Sequence, residues 1–147
     1  MIINTMTDTE ILTQSIKQAG LHLTPQRIAI CELLATSDVH PTAAYIYDQL
    51  REKYPSLSLM TVYNTLNTLV DIGVVNVLGN AGDDHAHYDG NQNPHINVAC
   101  LSCHKIIDFD SPTVTDLEND VREGSGFKLT GSRVLFYGLC PNCQKNR

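Results

Sequence analysis

Cys100-Leu101-Ser102-Cys103 and Cys140-Pro141-Asn142-Cys143 constrain this chain more than any other feature. Two residues between cysteines let both sulfurs face one point from a tight turn, and two such turns complete a tetrahedral, closed, four-thiolate zinc site. The stretch from Cys103 to Cys140 is longer than a zinc ribbon's and suits an intervening strand, helix and strand. One pair alone would equally fit a thioredoxin-like redox motif or buried thiols, but two pairs bracketing one domain favour zinc. Cys31, the fifth cysteine, falls on the apolar face of a helix and reads as core.

A staple of this kind matters because 147 residues hold one ordinary domain or two small ones, and small domains need a metal, a disulfide or a partner subunit. The chain has no apolar run near the ~20 residues that cross a bilayer. Met1 to Glu10 lacks the basic and apolar regions of a secretory signal. The expectation is a cytoplasmic protein, whose cysteines serve as ligands rather than disulfides. Net charge is −6, with four Lys or Arg against seven Asp or Glu in residues 1–82, and six against nine in 83–147. Neither half carries the basic footprint usual for nucleic-acid binding, so that function has to be argued from pattern.

Four helical patterns fill the first half. Thr7 or Asp8 caps a helix with Ile11, Leu12 and Ile16, stopped by Gly20. Thr24-Pro25 starts a second, with Thr as N-cap and Pro where its missing N–H costs nothing. Pro41-Thr42 opens a third, and Ser58 caps a fourth, with Val62, Leu66 and Leu69 on one face and Gly73 at its end. The period then switches to two. Val74 to Leu78 is extended, Gly79 to Gly82 turns, and His87-Tyr88 returns. Small helices followed by a short hairpin outline a winged helix-turn-helix. Gly90 to Pro94 reads as a hinge. Beyond it, strands at His95–Cys100 and Lys105–Phe109 flank the first cysteine pair, followed by a helix at Pro112–Glu123. A long strand from Phe127 to Leu139, bent at Gly131, completes the pattern. The class is α+β, with domains at 1–82 and 94–147 joined by a hinge at 83–93.

Two further constellations carry chemistry. His40, His85, His87, Asp89, His95 and Asp108 mix imidazole and carboxylate, a set that suits iron, manganese or zinc. No spacing rule joins them, and a histidine before Pro41 also serves simply as a helix start. His104 reads as solvated, and His22 has no evident partner. The fourth helix turns Ser58, Thr61, Tyr63, Asn64, Asn67 and Thr68 outward. A solvated helix usually shows Glu and Lys there, whereas neutral hydrogen-bonding groups fit base edges and phosphates in a major groove.

Leu23-Thr24-Pro25-Gln26-Arg27, Val39-His40-Pro41-Thr42-Ala43, Thr61-Val62-Tyr63-Asn64, Cys100-x-x-Cys103-His104-Lys105-Ile106-Ile107-Asp108-Phe109 and Tyr137-Gly138-x-Cys140-x-x-Cys143 together resemble, in order, segments of the ferric-uptake-regulator family. The resemblance spans roughly residues 10–143. It implies a homodimer with winged-helix DNA-binding domains, a small C-terminal α/β dimerisation domain and structural zinc on the four cysteines. It also implies a regulatory metal between the domains. Asn64 and Asp108 resemble the choices of the peroxide-sensing branch. Position by position, the regulatory ligands become His40, Asp89, His95 and Asp108, and the DNA contacts Arg27, Ser58, Thr61, Tyr63 and Asn64. In that branch a histidine follows two residues after His95, but here Asn97 stands there, with His85 and His87 as substitutes. A family histidine on the last strand is also missing, with Gly131 and Ser132 in its place.

The resulting expectation is a metal-dependent repressor of palindromic double-stranded operator DNA. Its co-repressor is Fe(II) or Mn(II), and oxidation of a ligand histidine by peroxide releases it from DNA. An iron, manganese or zinc uptake regulator is the alternative within the class. A zinc enzyme using the His/Asp cluster is the alternative outside it, but it would need an open metal position and a general base, and no HExxH-like or nucleophile motif is present. A zinc-stapled interaction domain without DNA is a third reading.

Overall fold

The computed structural model describes residues 6–37, 40–78, 85–92, 94–129 and 131–145. They form two compact units. The first comprises the described residues up to Val77 together with His87–Gln92; the second comprises Leu78, His85, Ala86 and the described residues from Pro94 onward.

Four helices build the first unit: α1 (Asp8–Gln18), α2 (Pro25–Thr36), α3 (Ala43–Leu50) and α4 (Leu59–Ile72). Each starts on a hydroxyl that accepts a hydrogen bond from a backbone N–H inside the first turn. Thr7 forms a reciprocal capping box with Glu10, and Thr24, Thr42 and Ser58 cap α2, α3 and α4. Leu12 and Ile16 of α1, Ile30 of α2, Ile46 of α3 and Leu66 and Leu69 of α4 are fully buried in one apolar core. Cys31 is buried in the same cluster, and burial pushes its thiol up to about 12. It is the core residue expected.

α4 ends at Gly73, whose φ of 95° is left-handed and favours glycine. Here the extended stretch is shorter than its valines suggest. The N–H groups of Val74 and Val75 both turn back to the Leu69 carbonyl, so the helix end consumes them and β1 spans only Asn76–Leu78. It pairs with β2 (His87–Asp89) as a two-stranded sheet. The expected turn at Gly79 to Gly82 lies outside the described residues. Helices followed by this small hairpin give the winged-helix outline.

The second unit is built on a three-stranded sheet in the order β4 (Ile106–Phe109), β3 (Ile96–Cys100), β5 (Leu135–Gly138). β3 and β4 are antiparallel across the first cysteine turn. β5 runs parallel to β3, which requires the crossover that α5 (Pro112–Ser125, capped by Ser111) supplies. The long strand expected from Phe127 is corrected to four residues. β3 begins at Ile96 and its register with β5 starts at Asn97 opposite Leu135, so the preceding residues have no β3 strand to pair with. A short helix that the sequence pattern did not announce, α6 (Pro141–Lys145), carries the last cysteine. Among the described residues no helix is long and apolar enough to cross a membrane.

Candidate metal centres and nucleic-acid interface

β3 delivers Cys100 to a turn closed by hydrogen bonds from His104 N–H to the Cys100 carbonyl and from Cys100 N–H to the Lys105 carbonyl. His104 takes a left-handed φ of 67° at the end of that turn. The Leu101 N–H reaches the Gly138 carbonyl at 2.8 Å, which ties this turn to the strand leading into the second pair. The four sulfurs of Cys100, Cys103, Cys140 and Cys143 consequently lie within 4.8 Å of one another, with Cys103 and Cys140 3.9 Å apart. Sulfurs bound at ~2.3 Å to one tetrahedral zinc are ~3.8 Å apart. The donor set and its spacing fit that ion. A disulfide needs ~2.05 Å between sulfurs, so the Cys103–Cys140 pair is not one.

The protein also prepares thiolates. Backbone N–H groups of Cys103 and Cys140 point at the Cys100 sulfur, at 3.5 and 3.3 Å, and lower its pKa to about 5. The Cys143 backbone lowers Cys140. At Cys143, a hydrogen bond from Ser102 is outweighed by the Cys140 and Cys100 sulfurs, and the thiol rises to about 11. Crowded sulfurs cannot all hold negative charge by themselves, and a divalent cation is what lets them.

The imidazole and carboxylate groups expected as ligands form two pairs, one in each unit. In the first, His40 Nδ1 stands 3.6 Å from Asp89 Oδ1, with His40 3% and Asp89 1% exposed. His40 has a left-handed φ of 47°. β2 holds this conformation: Tyr88 N–H donates to the Pro41 carbonyl at 3.0 Å, and buried His87 sets its Nδ1 2.8 Å from the His40 carbonyl. A carbonyl can only accept, so Nδ1 of His87 carries a proton and donates it to this bond. Asn91 N–H donates to Asp89 Oδ1 at 2.9 Å.

In the second unit, His95 Nε2 lies 3.7 Å from Asp108 Oδ1. Asn97 is opposite Asp108 in the β3–β4 register and is buried. Opposite residues of an antiparallel pair share a face, so Asn97 stands beside the expected ligand Asp108. Both His–Asp separations are too long for good hydrogen bonds. They are slightly wider than the ~3.0–3.5 Å between two N/O ligands of one ion. His85 is exposed; its backbone neighbours gave no spacing signal that could rank it.

On α4, two of the expected DNA contacts are partly committed to the helix itself. Ser58 Oγ accepts from Thr61 N–H, and the two hydroxyls lie 3.0 Å apart. Thr68 Oγ1 donates to the Asn64 carbonyl and Thr65 Oγ1 to the Thr61 carbonyl. Thr65 is fully buried. Tyr63, Asn64 and Asn67 are exposed. Two residues that polar patterning overlooked join them: Leu59 at 41% and Met60 at 67% exposure. Arg27 donates from Nη1 to the His22 backbone carbonyl at 2.6 Å.

The sheet of the second unit has two dissimilar faces. Asn97, Ala99, Ile106, Asp108 and Leu135 alternate onto one. The other carries Val98 in line with Ile107 and Phe136, and Phe109 beyond. Ile107, Phe109 and Phe136 are about half exposed, at 48, 55 and 59%. A contiguous apolar face of this kind marks an association surface.

Residues 18–137 match the family model described as ferric uptake regulator family. A peroxide-responsive repressor, PerR, of Staphylococcus aureus is 39% identical over 130 residues, which covers 88% of this chain and 87% of the relative. Among solved structures, the Helicobacter pylori ferric uptake regulator superposes with a TM-score of 0.73 at 28% identity, covering 98% of this chain and 97% of its own. PerR from Streptococcus pyogenes gives 0.54 at 37% identity, covering 95% of each chain. The Campylobacter jejuni peroxide stress regulator gives 0.70 at 27%, covering 90% of this chain and 96% of its own.

Proposed function

Because the chain belongs to the ferric uptake regulator family, we propose that it is a dimeric, metal-dependent transcriptional repressor that answers peroxide. The observation that carries the reading is the pairing of two different metal-ligand chemistries in one chain. A closed thiolate cluster is built to hold zinc permanently, and separate His–Asp pairs offer harder donors for an exchangeable ion. The relatives it matches are repressors and regulators rather than enzymes, and the zinc-enzyme alternative is set aside.

In this reading zinc sits on Cys100, Cys103, Cys140 and Cys143, while His40, Asp89, His95 and Asp108 hold the regulatory ion. An Fe(II) co-repressor supplies the one-electron chemistry that peroxide needs, and Mn(II) gives the same DNA binding without it. His40 and Asp89 come from one unit and His95 and Asp108 from the other. An ion that draws on both pairs therefore links the orientation of the DNA-binding domains to metal occupancy. With iron bound, peroxide would transfer one oxygen to the imidazole of His40 or His95 and leave as water, and the oxidised ring would be a poorer ligand and free the domains. Asn97 offers at best a weak carbonyl donor where the branch has histidine, so a ring nitrogen of His87 or His85 is the reserve ligand.

We place the DNA-binding domain at 1–82, the hinge at 83–93 and the dimerisation domain at 94–147; the chain changes unit at 77/78, 86/87 and 92/93, the last two within that hinge. The half-exposed face of Ile107, Phe109 and Phe136 supports dimerisation. A twofold dimer presents two α4 helices, which matches a palindromic operator with half-sites one helical turn or a multiple apart. A repressor works where the DNA is, which places it in the cytoplasm.

The test compares Mn(II)- and Fe(II)-loaded protein on operator DNA before and after peroxide. Both forms should bind and both should release on chelation. Only the Fe(II) form should release with peroxide, with an added oxygen on His40 or His95 by mass spectrometry. An Fe(II) protein that stays on DNA with unmodified histidines is an uptake regulator instead.

A further inference from the structure

We propose that Met60 is a base-reading residue whose side chain packs against a thymine methyl group in the major groove. The inference rests on the DNA-binding reading above and adds the kind of base that is selected and the residue that selects it. α4 carries no charged side chain from Leu59 to Val70. Met60, Tyr63, Asn64 and Asn67 follow the i, i+3, i+4, i+7 rule and form one stripe. Val62, Leu66 and Leu69, all fully buried, lie on the opposite side. Met60 is 67% exposed, more than any other large apolar side chain of the first unit among the described residues.

A lone exposed methionine is ordinary on a protein surface. This one stands at the second position of the helix, where a recognition helix reaches base edges. The polar groups of that first turn are partly committed to one another: Ser58 caps the Thr61 N–H, and the Ser58 and Thr61 hydroxyls are 3.0 Å apart. The most exposed side chain the first turn offers DNA is apolar. The thymine methyl is the apolar feature of the major groove, and a flexible, polarizable thioether adapts to it. Charge makes the contact matter more. Residues 1–82 hold four Lys or Arg against seven Asp or Glu, so phosphate attraction is small and contacts at the base edges carry a larger share of binding.

The experiment uses full-length, zinc-loaded protein with Mn(II). Duplexes are selected from a randomised pool, and each thymine of a selected duplex is then replaced by uracil, which removes only the methyl. At one position per half-site uracil should weaken the unaltered protein about fourfold, the worth of one buried methyl. Met60→Ala should bind the thymine duplex weaker by a similar factor and be indifferent to uracil there, while Met60→Leu keeps the discrimination. Uracil penalties that are the same in the unaltered protein and in Met60→Ala at every position overturn the proposal. So does a Met60→Ala protein that loses both duplexes by far more than that factor. If no duplex is enriched at all, the DNA-binding reading itself fails, and the role of Met60 with it.

Discussion

At the scale of single residues, histidines with the same side chain do different work because of what their backbone and neighbours allow. His40 sits in a left-handed conformation beside buried Asp89, and its carbonyl is held by the ring of His87. His87 is thus in place to position a ligand, in addition to any direct role of its Nε2. Outer partners of metal ligands typically contribute 10- to 100-fold in affinity. His87→Ala should therefore weaken Mn(II) binding by about that factor, with zinc content and dimer unchanged. His87→Asn keeps an N–H donor at the Nδ1 position for the His40 carbonyl and should recover most of the loss. Mn(II) titration checks both variants. An Asn protein as weak as the Ala protein would make His87 a direct ligand, and unchanged affinity in both would remove it from the site.

At the scale of elements, helix ends set the boundaries that hydrophobic periodicity leaves vague. Gly73 receives the end of α4 with φ 95°, its N–H reaching the Leu69 and Val70 carbonyls. Val74 and Val75 then turn back to Leu69 instead of joining β1. A Cβ at Gly73 would meet nothing within 4 Å, so Gly73→Ala isolates the conformational cost of a left-handed residue, ~1–2 kcal/mol. For a domain of this size that is a fall in melting temperature of roughly 4–8 °C per kcal/mol, read by calorimetry, with zinc content unaffected. No change in melting would mean the helix ends elsewhere in solution. The caps of α2 and α4 were legible in the sequence, and the starts of α1 and α3 to within a residue, because each cap is a contact across three residues. The length of β5 was not, because it depends on where β3, some forty residues earlier, begins.

At the scale of the whole molecule, zinc supplements the small core of the second unit. The second unit buries Leu78, Ala99 and Ile106 as its core cluster, with Leu135 against them. The four cysteines join the β3–β4 turn to α6 across 40 residues. Structural zinc sites of this kind carry an apparent ~10–16 kcal/mol that is largely folding energy. Cys100→Ser removes the sulfur on which two backbone N–H groups converge, and should lose zinc and dimer together. Metal analysis with size-exclusion chromatography checks this; a zinc-free, dimeric Cys100→Ser protein would end the assignment.

What the sequence determined by itself is what local rules govern. The cysteine pairs announce a zinc site because their spacing alone sets the turn, and hydroxyls before Pro25, Ala43 and Leu59 announce helix starts because capping is a contact within one turn. Tertiary structure decided everything that depends on a neighbour far along the chain. It set His40 beside Asp89 and buried Asn97 opposite Asp108. It also left Met60 outward while burying Val62 and Leu66. A side chain's type can be read one residue at a time. Which groups share a face or an ion depends on strand register and packing, and these belong to no single segment.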